Sequence, residues 1–273
     1  MDFDAYERRL WKGRAAAYER GFARLTVYSA EALLDAAGVA AGVRLLDVGT
    51  GPGVVARAAT ARGARVTAVD AEPSMAEAAA RNVPGLDVRV AVLPDLPLPD
   101  GAFDAVTGNF VINHAGDPAA ALTELRRVLC GGGRLALTCW SYPPSPALGI
   151  AAEAIEAAGV PWPDDIPVPP FRAYSSPGAF AALLAGAGFA GPTARLLSWE
   201  YRVDPREWWE EVYLSRVGAN GVVIGRQDTA TVARIKDEFG RLVARYAVDA
   251  GQVALPAVAV LASGQRTVHR AVL

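Results

Sequence analysis

Hydrophobic residues recur in two different rhythms along this chain, and the change between them predicts an alternation of helices and strands. Over residues 5–38, apolar positions such as Tyr6, Leu10, Tyr18 and Leu33 fall at roughly helical spacing. From residue 43 to residue 140, short apolar runs of strand character alternate with Ala-rich stretches of helical character. Strict alternation of this kind predicts a parallel sheet with right-handed crossovers.

Turn residues bound each of the predicted elements. In the first half, strands are predicted at 43–48, 65–69, 88–92, 103–108 and 134–140, and helices at 54–62, 73–82 and 118–129. In the second half, helices are predicted at 147–158, 177–187, 205–216 and 229–247, and strands at 195–203 and 253–261. We therefore expect an α/β fold with a doubly wound, mostly parallel, seven-stranded sheet, preceded by helices and completed by further helices over one edge.

Charge and cysteine content narrow the possible function classes. The 273 residues include 27 Lys and Arg against 29 Asp and Glu, and a net charge of -2 argues against a globally basic nucleic-acid binder. The two cysteines show neither zinc-ligand spacing nor a disulfide framework, which favours a reducing cytoplasm. The acidic first residues do not resemble a signal peptide, and the apolar run 253–262 is shorter than the ~20 residues of a membrane span. No metal site, nucleic acid or membrane partner is expected.

A glycine turn directly follows the first predicted strand. Gly49, Gly51 and Gly53 form the pattern G-x-G-x-G, and Val54 stands where a dinucleotide fingerprint requires its third glycine. Asp47 lies in the strand end, where its carboxylate would disfavour a pyrophosphate and favour an ammonium or sulfonium group. Asp70 ends the second strand, where it can accept hydrogen bonds from ribose hydroxyls. The pattern favours a cationic nucleoside over a nicotinamide dinucleotide.

Four segments of the chain carry a family resemblance, at 45–53, 69–75, 96–104 and 125–133. In order and spacing they resemble the class I S-adenosylmethionine (SAM)-dependent methyltransferases, in the subgroup similar to the ubiquinone and menaquinone methyltransferases. The resemblance covers about residues 43–140. It implies a Rossmann-like methyltransferase fold, SAM as methyl donor and S-adenosylhomocysteine as product. The same resemblance divides the single domain into an N-terminal helical lid (1–40), a SAM-binding core (41–140) and a substrate-pocket region (141–273).

The resemblance also implies roles for individual residues. Gly49 and Gly51 would approach the methionine portion of SAM, with Asp47 near its amino group. Asp70 would hold the ribose hydroxyls. The adenine and sulfonium groups would be lined by Ala71, Met75, Leu93, Asn109 and Phe110. His114 follows the fourth strand and Tyr18 lies on the N-terminal helices; both are candidate catalytic residues, because a histidine can remove a proton near neutral pH and these helices often cover SAM in the subgroup.

Two segments depart from the family pattern. The family often has Gly-Asp-Ala where this chain has Ala91-Val92-Leu93, so a hydrogen bond to the adenine amino group must come from the backbone or from water. The family's Lys-Pro pair is replaced by Cys130-Gly131, in a loop without expected catalytic importance.

The acceptor is expected to be a small, aromatic or apolar molecule, methylated by in-line displacement. Five of the six Trp residues lie after the glycine-turn core, and their segments could form an aromatic substrate pocket. Trp208 and Trp209 are neighbours on a helix and cannot both face one direction, so one of them is expected in the core. The Arg-rich composition and the divergent C-terminal half favour bacterial secondary metabolism, and a homodimer is compatible with the sequence. A nicotinamide-dependent oxidoreductase, or a SAM-binding protein without methyl transfer, remains an alternative.

Overall fold

The fold is centred on one seven-stranded sheet. In the computed structural model, which describes residues 3–268 apart from the side chain of Ala250, the strands lie in the order β3-β2-β1-β4-β5-β7-β6. The first five in this order are parallel, and β7 runs antiparallel to both β5 and β6. The strands are β1 (Arg44–Val48), β2 (Arg65–Asp70), β3 (Asp87–Val90), β4 (Phe103–Asn109), β5 (Leu129–Trp140), β6 (Phe189–Val203) and β7 (Val253–Arg266). The predicted doubly wound, mostly parallel sheet is confirmed.

Helices cover both faces of the sheet. They are α1 (Phe3–Trp11), α2 (Ala15–Arg20), α3 (Phe22–Thr26), α4 (Ala30–Ala36), α5 (Val54–Ala61), α6 (Pro73–Asn82), α7 (Pro118–Val128), α8 (Pro146–Ala157), α9 (Pro177–Gly186), α10 (Pro205–Trp208), α11 (Gly218–Ile224) and α12 (Thr229–Val243). Within residues 3–268, none of these helices has the length and apolarity needed to traverse a lipid bilayer.

Successive side chains of β1 point to opposite faces of the sheet, so this strand contributes to a hydrophobic core on each face. Leu45 packs with Leu33 of α4 on one face of the sheet. Its neighbour Leu46 points to the opposite face and packs with Leu122 and Leu125 of α7. All five side chains are fully buried. The two faces are therefore built from adjacent residues, as a doubly wound sheet requires.

The N-terminal region is divided into shorter helices than the spacing of apolar residues suggests. Gly21 separates α2 from α3, and a Cβ atom there would lie 2.7 Å from Cγ2 of Val212. The chain bends at this position because only a residue without a side chain allows α2 to approach the segment after α10 so closely.

Several strands extend further than the sequence predicted. Gly131, Gly132 and Gly133 were expected to end a helix before a strand at 134, but β5 already begins at Leu129. An irregularity in the pairing with β4, between Phe103 and Ala105, accommodates these extra residues. Strands β6 and β7 are also longer, because they pair with each other along nearly their whole length.

The predicted helix 205–216 consists of α10 and a π-helical turn at Trp209–Leu214, and α11 was not predicted. Predictions for residues 1–2 and 269–273 lie outside the described residues.

Candidate functional site

A cavity of about 380 Å³ opens at the carboxyl ends of β1, β2 and β4. This edge is where the connections of an open parallel sheet leave room for a ligand. The predicted site residues that line the cavity are Tyr18, Gly49, Gly51, Asp70, Ala71, Met75, Leu93, Asn109, Phe110 and His114. The tertiary structure therefore brings together residues that lie up to 96 positions apart in the sequence, and Asp47 is the one predicted residue that does not line the cavity.

The glycine turn forms the floor of the cavity. Gly49 and Gly51 are glycines for two different structural reasons. Gly49 has φ +64°, and a Cβ atom there would lie 2.4 Å from Cγ2 of Val111. Gly51 has φ +54°, and a Cβ atom there would meet only Cε1 of Tyr18, at 3.5 Å. Gly49 is therefore required by close packing against the loop after β4. At Gly51 the left-handed backbone favours glycine, and the missing side chain leaves the floor open.

Asp70 connects this turn to the end of β2. One carboxylate oxygen accepts a hydrogen bond from the backbone N–H of Gly51 at 2.8 Å, and the other accepts one from the N–H of Glu72 at 2.9 Å. Burial raises the pKa of Asp70, and these two hydrogen bonds oppose that change. A carboxylate oxygen can accept more than one hydrogen bond, so the group retains acceptor capacity towards a ligand in the cavity.

Asp47 lies behind the turn rather than on the cavity wall. Its two carboxylate oxygens accept hydrogen bonds from the hydroxyls of Thr50 at 2.8 Å and Thr107 at 2.9 Å. Burial raises its pKa to about 6. The carboxylate therefore braces the turn against β4, because each of its oxygens accepts a hydrogen bond from one of these hydroxyls. Its position near the amino group of SAM stays a prediction.

The end of β4 is held by hydrogen bonds to the N-terminal region and to β5. Oδ1 of Asn109 accepts hydrogen bonds from Ser29 and Thr138, both at 2.7 Å, and its amide donates to the carbonyl of Thr26 at 3.1 Å. Phe110 has a left-handed backbone (φ +61°), and its ring stacks on Trp140 with centroids 3.9 Å apart. The side chain of Asn109 is thus held in place by three hydrogen bonds.

The N-terminal helices form the wall opposite the glycine turn. Asp4 accepts a hydrogen bond from the N–H of Gly116 at 2.7 Å, and Glu72 accepts one from the N–H of Gly13 at 3.1 Å. The Tyr18 hydroxyl lies 3.3 Å from that of Thr26, and burial raises the pKa of Tyr18. These contacts join α1 and α2 to the loops that follow β2 and β4.

His114 has partners that the sequence analysis missed. Its Nδ1 lies 2.7 Å from Oε2 of Glu7, and the indole N–H of Trp11 donates to the same oxygen at 3.0 Å. Glu7 and Trp11 both line the cavity. Their spacing of four residues on an amphipathic helix places them on one face, which is a detectable signal. Their proximity to a histidine 107 and 103 positions away, respectively, could not be read from the sequence.

The aromatic residues of the C-terminal half do not line this cavity. Trp208 and Trp209 are each about 1% exposed and pack in the core formed with α8 and α12. One of the two was expected in the core, and the structure buries both, because the π-helical turn that follows α10 is surrounded by other elements. Trp140 supports Phe110 from behind, and Trp199 stacks on Tyr28.

The residues that line the cavity are compatible with SAM in their chemistry. The open floor at Gly51 leaves room for a close approach of a ligand, and Asp70 has acceptor capacity for hydroxyl groups. Met75 and Leu93 provide apolar surface for a planar base. SAM carries a sulfonium and an ammonium group, and the carboxylates of Asp70 and Glu72 line the same cavity. Within residues 3–268, no group of three or more His, Cys, Asp or Glu side chains could hold a metal ion.

Comparisons with known proteins identify the family. Residues 46–137 match the family model described as "Methyltransferase domain". A demethylmenaquinone methyltransferase from Thermus thermophilus is 37% identical over 163 residues, which cover 54% of this chain and 74% of the relative. Nocamycin O-methyltransferase from Saccharothrix syringae is 33% identical over 235 residues, covering 75% of this chain and 84% of the relative.

The solved structures agree on the fold. The YcgJ protein of Bacillus subtilis superposes with a TM-score of 0.56 and 20% identity over 88% of this chain and 99% of that protein. Against several other curated relatives, the matched region spans less than half of the relative's length. The matches support a methyltransferase rather than a nicotinamide-dependent oxidoreductase. The chain belongs to the class I SAM-dependent methyltransferases, in the subgroup of the ubiquinone and menaquinone methyltransferases.

Proposed function

We propose that this protein transfers the methyl group of SAM to a small aromatic or apolar molecule in bacterial secondary metabolism. The observation that carries this proposal is the joint position of Gly51 and Asp70. A 2.8 Å hydrogen bond connects them at the floor of a cavity of about 380 Å³. The similarity to nocamycin O-methyltransferase, which extends over most of both chains, supports a natural-product acceptor. Two cysteines that form no disulfide support a cytoplasmic location.

We infer the following arrangement of SAM from the cavity. The methionine portion lies over Gly49 and Gly51, and the ribose hydroxyls donate to Asp70. The adenine lies between Met75 and Ala71 on one side and Leu93 on the other. Asn109 and Phe110 face the sulfonium group, which exposes its methyl to the part of the cavity near His114. Because bound SAM is intrinsically reactive, the protein contributes chiefly by alignment and by excluding water.

The division into a lid, a core and a substrate region belongs to the same proposal. Residues 1–40 act as the lid, residues 41–140 bind SAM, and the acceptor enters between α1 and the loop after β4. The apolar surface of Trp11 and the edge of Phe110 favour a flat or apolar acceptor. The segments after residue 140 contribute by supporting this loop, as the stacking of Trp140 on Phe110 indicates.

Replacement of Asp70 tests the binding of SAM. In Asp70→Asn, one carboxylate oxygen becomes an amide N–H₂ that faces a backbone N–H, and a charged acceptor for the ribose is lost. Titration calorimetry should give an affinity for SAM and for S-adenosylhomocysteine that is about 10-fold to 100-fold lower, as expected for hydrogen bonds to a charged group. Asp237→Asn, the same change at an exposed position of α12, serves as the matched control.

Two measurements on the wild-type protein distinguish SAM binding from methyl transfer. Wild-type protein that shows no affinity for either nucleoside would contradict the proposal. Protein that binds SAM but produces no S-adenosylhomocysteine with a broad panel of small aromatic acceptors would support the alternative of SAM binding without methyl transfer.

A further inference from the structure

Three side chains from two distant segments meet at one end of the cavity. Glu7 and Trp11 lie on α1, and His114 lies on the short 3-10 helix Val111–His114 that follows β4. Oε2 of Glu7 is 2.7 Å from Nδ1 of His114 and accepts the indole N–H of Trp11 at 3.0 Å. The Trp11 and His114 rings also meet edge to face, with centroids 5.1 Å apart. The ring of His114 is therefore oriented by two residues of the N-terminal helix.

Two contacts at Nδ1 of His114 bear on which ring nitrogen carries the proton. A carboxylate accepts hydrogen bonds, so the 2.7 Å contact with Glu7 is a hydrogen bond when Nδ1 donates. The indole N–H of Trp11 lies 3.4 Å from the same Nδ1 but has the Glu7 carboxylate as its nearer acceptor at 3.0 Å, so the shorter contact favours the proton on Nδ1. In the neutral ring, Nε2 then has a free lone pair. This nitrogen has no hydrogen-bond partner within the part of the chain that the structure describes. The side chain of His114 is 38% exposed, whereas that of Glu7 is 11% exposed. The carboxylate is thus enclosed, while part of the ring remains open to the cavity.

We propose that Glu7 is a positioning residue that holds His114 as the general base, and that the acceptor is a phenolic or enolic hydroxyl whose proton passes to Nε2. This inference rests on the proposed methyl transfer and specifies its acceptor. A neutral amine can be methylated before it loses a proton, and it needs no oriented base during transfer. A hydroxyl benefits from one, because removal of its proton increases the electron density on the attacking oxygen.

The proposed step is balanced in atoms and charge. Bound SAM supplies an electrophilic methyl group, and formation of the carbon–oxygen bond is accompanied by cleavage of the carbon–sulfur bond, with both electrons going to sulfur. Nε2 of His114 takes the hydroxyl proton. The carboxylate of Glu7 offsets the positive charge that the ring acquires. The proton then passes to water, to which the partly exposed ring has access.

Other charged groups face the same cavity and share its electrostatic field. They come from α1 and the residue that follows it, and from the end of β2 and the turn after it; they are Asp4, Arg8, Lys12, Asp70 and Glu72. Among the charged groups that line the cavity, Glu7 is the one with a hydrogen bond to the His114 ring. Its removal should therefore affect the ring more than removal of any of the others.

Nitrogen NMR tests the orientation of the ring without a known acceptor. The chain has two histidines, so a spectrum of ¹⁵N-labelled imidazoles is simple to assign with the variant His114→Gln. At a pH where the ring is neutral, we expect His114 to carry its proton on Nδ1. A neutral ring protonated on Nε2 would overturn the proposal, whether or not the protein binds SAM.

Kinetics with a matched pair of acceptors test the role in transfer. The probes are 2-naphthol and 2-naphthylamine, which differ in the accepting atom alone. We expect methylation of the naphthol, a kcat lowered on the order of 100-fold in His114→Gln, and a kcat lowered about 10-fold in Glu7→Gln. Glu156→Gln, an exposed substitution on α8, should leave kcat unchanged.

Failure of this inference can be distinguished from failure of the proposed function. Calorimetry with S-adenosylhomocysteine should show affinities within about 2-fold of wild type in both variants, since neither residue is assigned to the nucleoside. Methylation of the amine but not of the naphthol, or a kcat that both variants leave unchanged, would overturn the role of Glu7 and His114 while leaving methyl transfer intact. Loss of affinity for S-adenosylhomocysteine in Glu7→Gln would show that Glu7 maintains the cavity and would also overturn the proposal.

Discussion

Asp47 shows how a buried carboxylate can stabilise the turn that follows a strand. Asp47 is 1% exposed. Its carboxylate accepts hydrogen bonds from Thr50, in the turn after β1, and from Thr107, on β4. Burial without a cationic partner disfavours the charged form, which explains why its pKa is raised to about 6 from the usual 3.8. A group of this kind makes stability depend on pH.

We predict that the free energy of unfolding falls as the pH rises from about 4 to about 6, because Asp47 loses its proton at a higher pH in the folded protein than in the unfolded chain. Between the two pKa values the folded protein binds the proton and the unfolded chain does not, so stability decreases with increasing pH in this window and not above it. A difference of about two pKa units corresponds to about 3 kcal/mol. Asp47→Asn should lack this dependence, because its side chain does not titrate and can still bond to both hydroxyls.

Denaturant unfolding of the two proteins between pH 4 and pH 7.5 measures this effect. The free energy of unfolding of wild type relative to Asp47→Asn should fall across the lower part of the range and then level off. Parallel curves throughout would mean that Asp47 is ionised in the folded protein at all these pH values.

At the scale of elements, several of the contacts that attach the N-terminal helices to the cavity walls are polar. Asp4 bonds to the loop before α7, Gly13 bonds to Glu72 at the start of α6, and Asn82 at the end of α6 donates to Glu19 at 2.6 Å. Each is a polar contact at least partly open to solvent. Such contacts open at a lower free-energy cost than a packed sheet, so the N-terminal helices are suited to admit a ligand.

We predict that ligand binding slows hydrogen exchange in α1 and α2. A nucleoside in the cavity would contact these helices as well as the turns after β1 and β2, so opening of the helices should require its release. Exchange measured by mass spectrometry, with and without S-adenosylhomocysteine, should show protection of 3–20 together with 49–53 and 70–75. Helix α12 serves as an internal control and should be unaffected. Protection limited to the two turns would contradict the assignment of residues 1–40 as a lid.

At the scale of the whole molecule, the last described strand holds the two halves together. Strand β7 pairs with β5 from Trp140 to Arg134 and with β6 along nearly its entire length. Its buried side chains, including Leu255 and Val260, belong to both large cores. The strand is therefore an internal member of the sheet although it comes last in the sequence.

We predict that a chain ending at Ala247 does not fold cooperatively. Without β7, strand β6 loses its pairing partner and β5 exposes a hydrophobic edge. Circular dichroism and calorimetry should show no sharp thermal transition for this chain, whereas the full-length protein should show one. A cooperative transition within a few degrees of full length in the shorter chain would contradict this role of β7.

The sequence by itself determined the central sheet and most of the cavity floor. Each βα unit between residues 43 and 140 is bounded by local signals, such as the glycine turn after β1 and Pro73 at the first turn of α6. Parallel strands joined in this way place their carboxyl ends at one edge, so the proximity of Gly51 and Asp70 follows from local pattern and topology together.

Only the tertiary structure decided which distant residues complete the site. The pairing of Glu7 with His114 depends on how α1 lies across the cavity, and no local pattern specifies this position. The same holds for Asp47, whose hydrogen-bond partner Thr107 comes from the neighbouring strand, and for Trp209, whose burial depends on a π-helical turn. A local sequence pattern reflects the conformational preference of one segment. These contacts form between segments that are far apart in the sequence, so no local pattern predicts them.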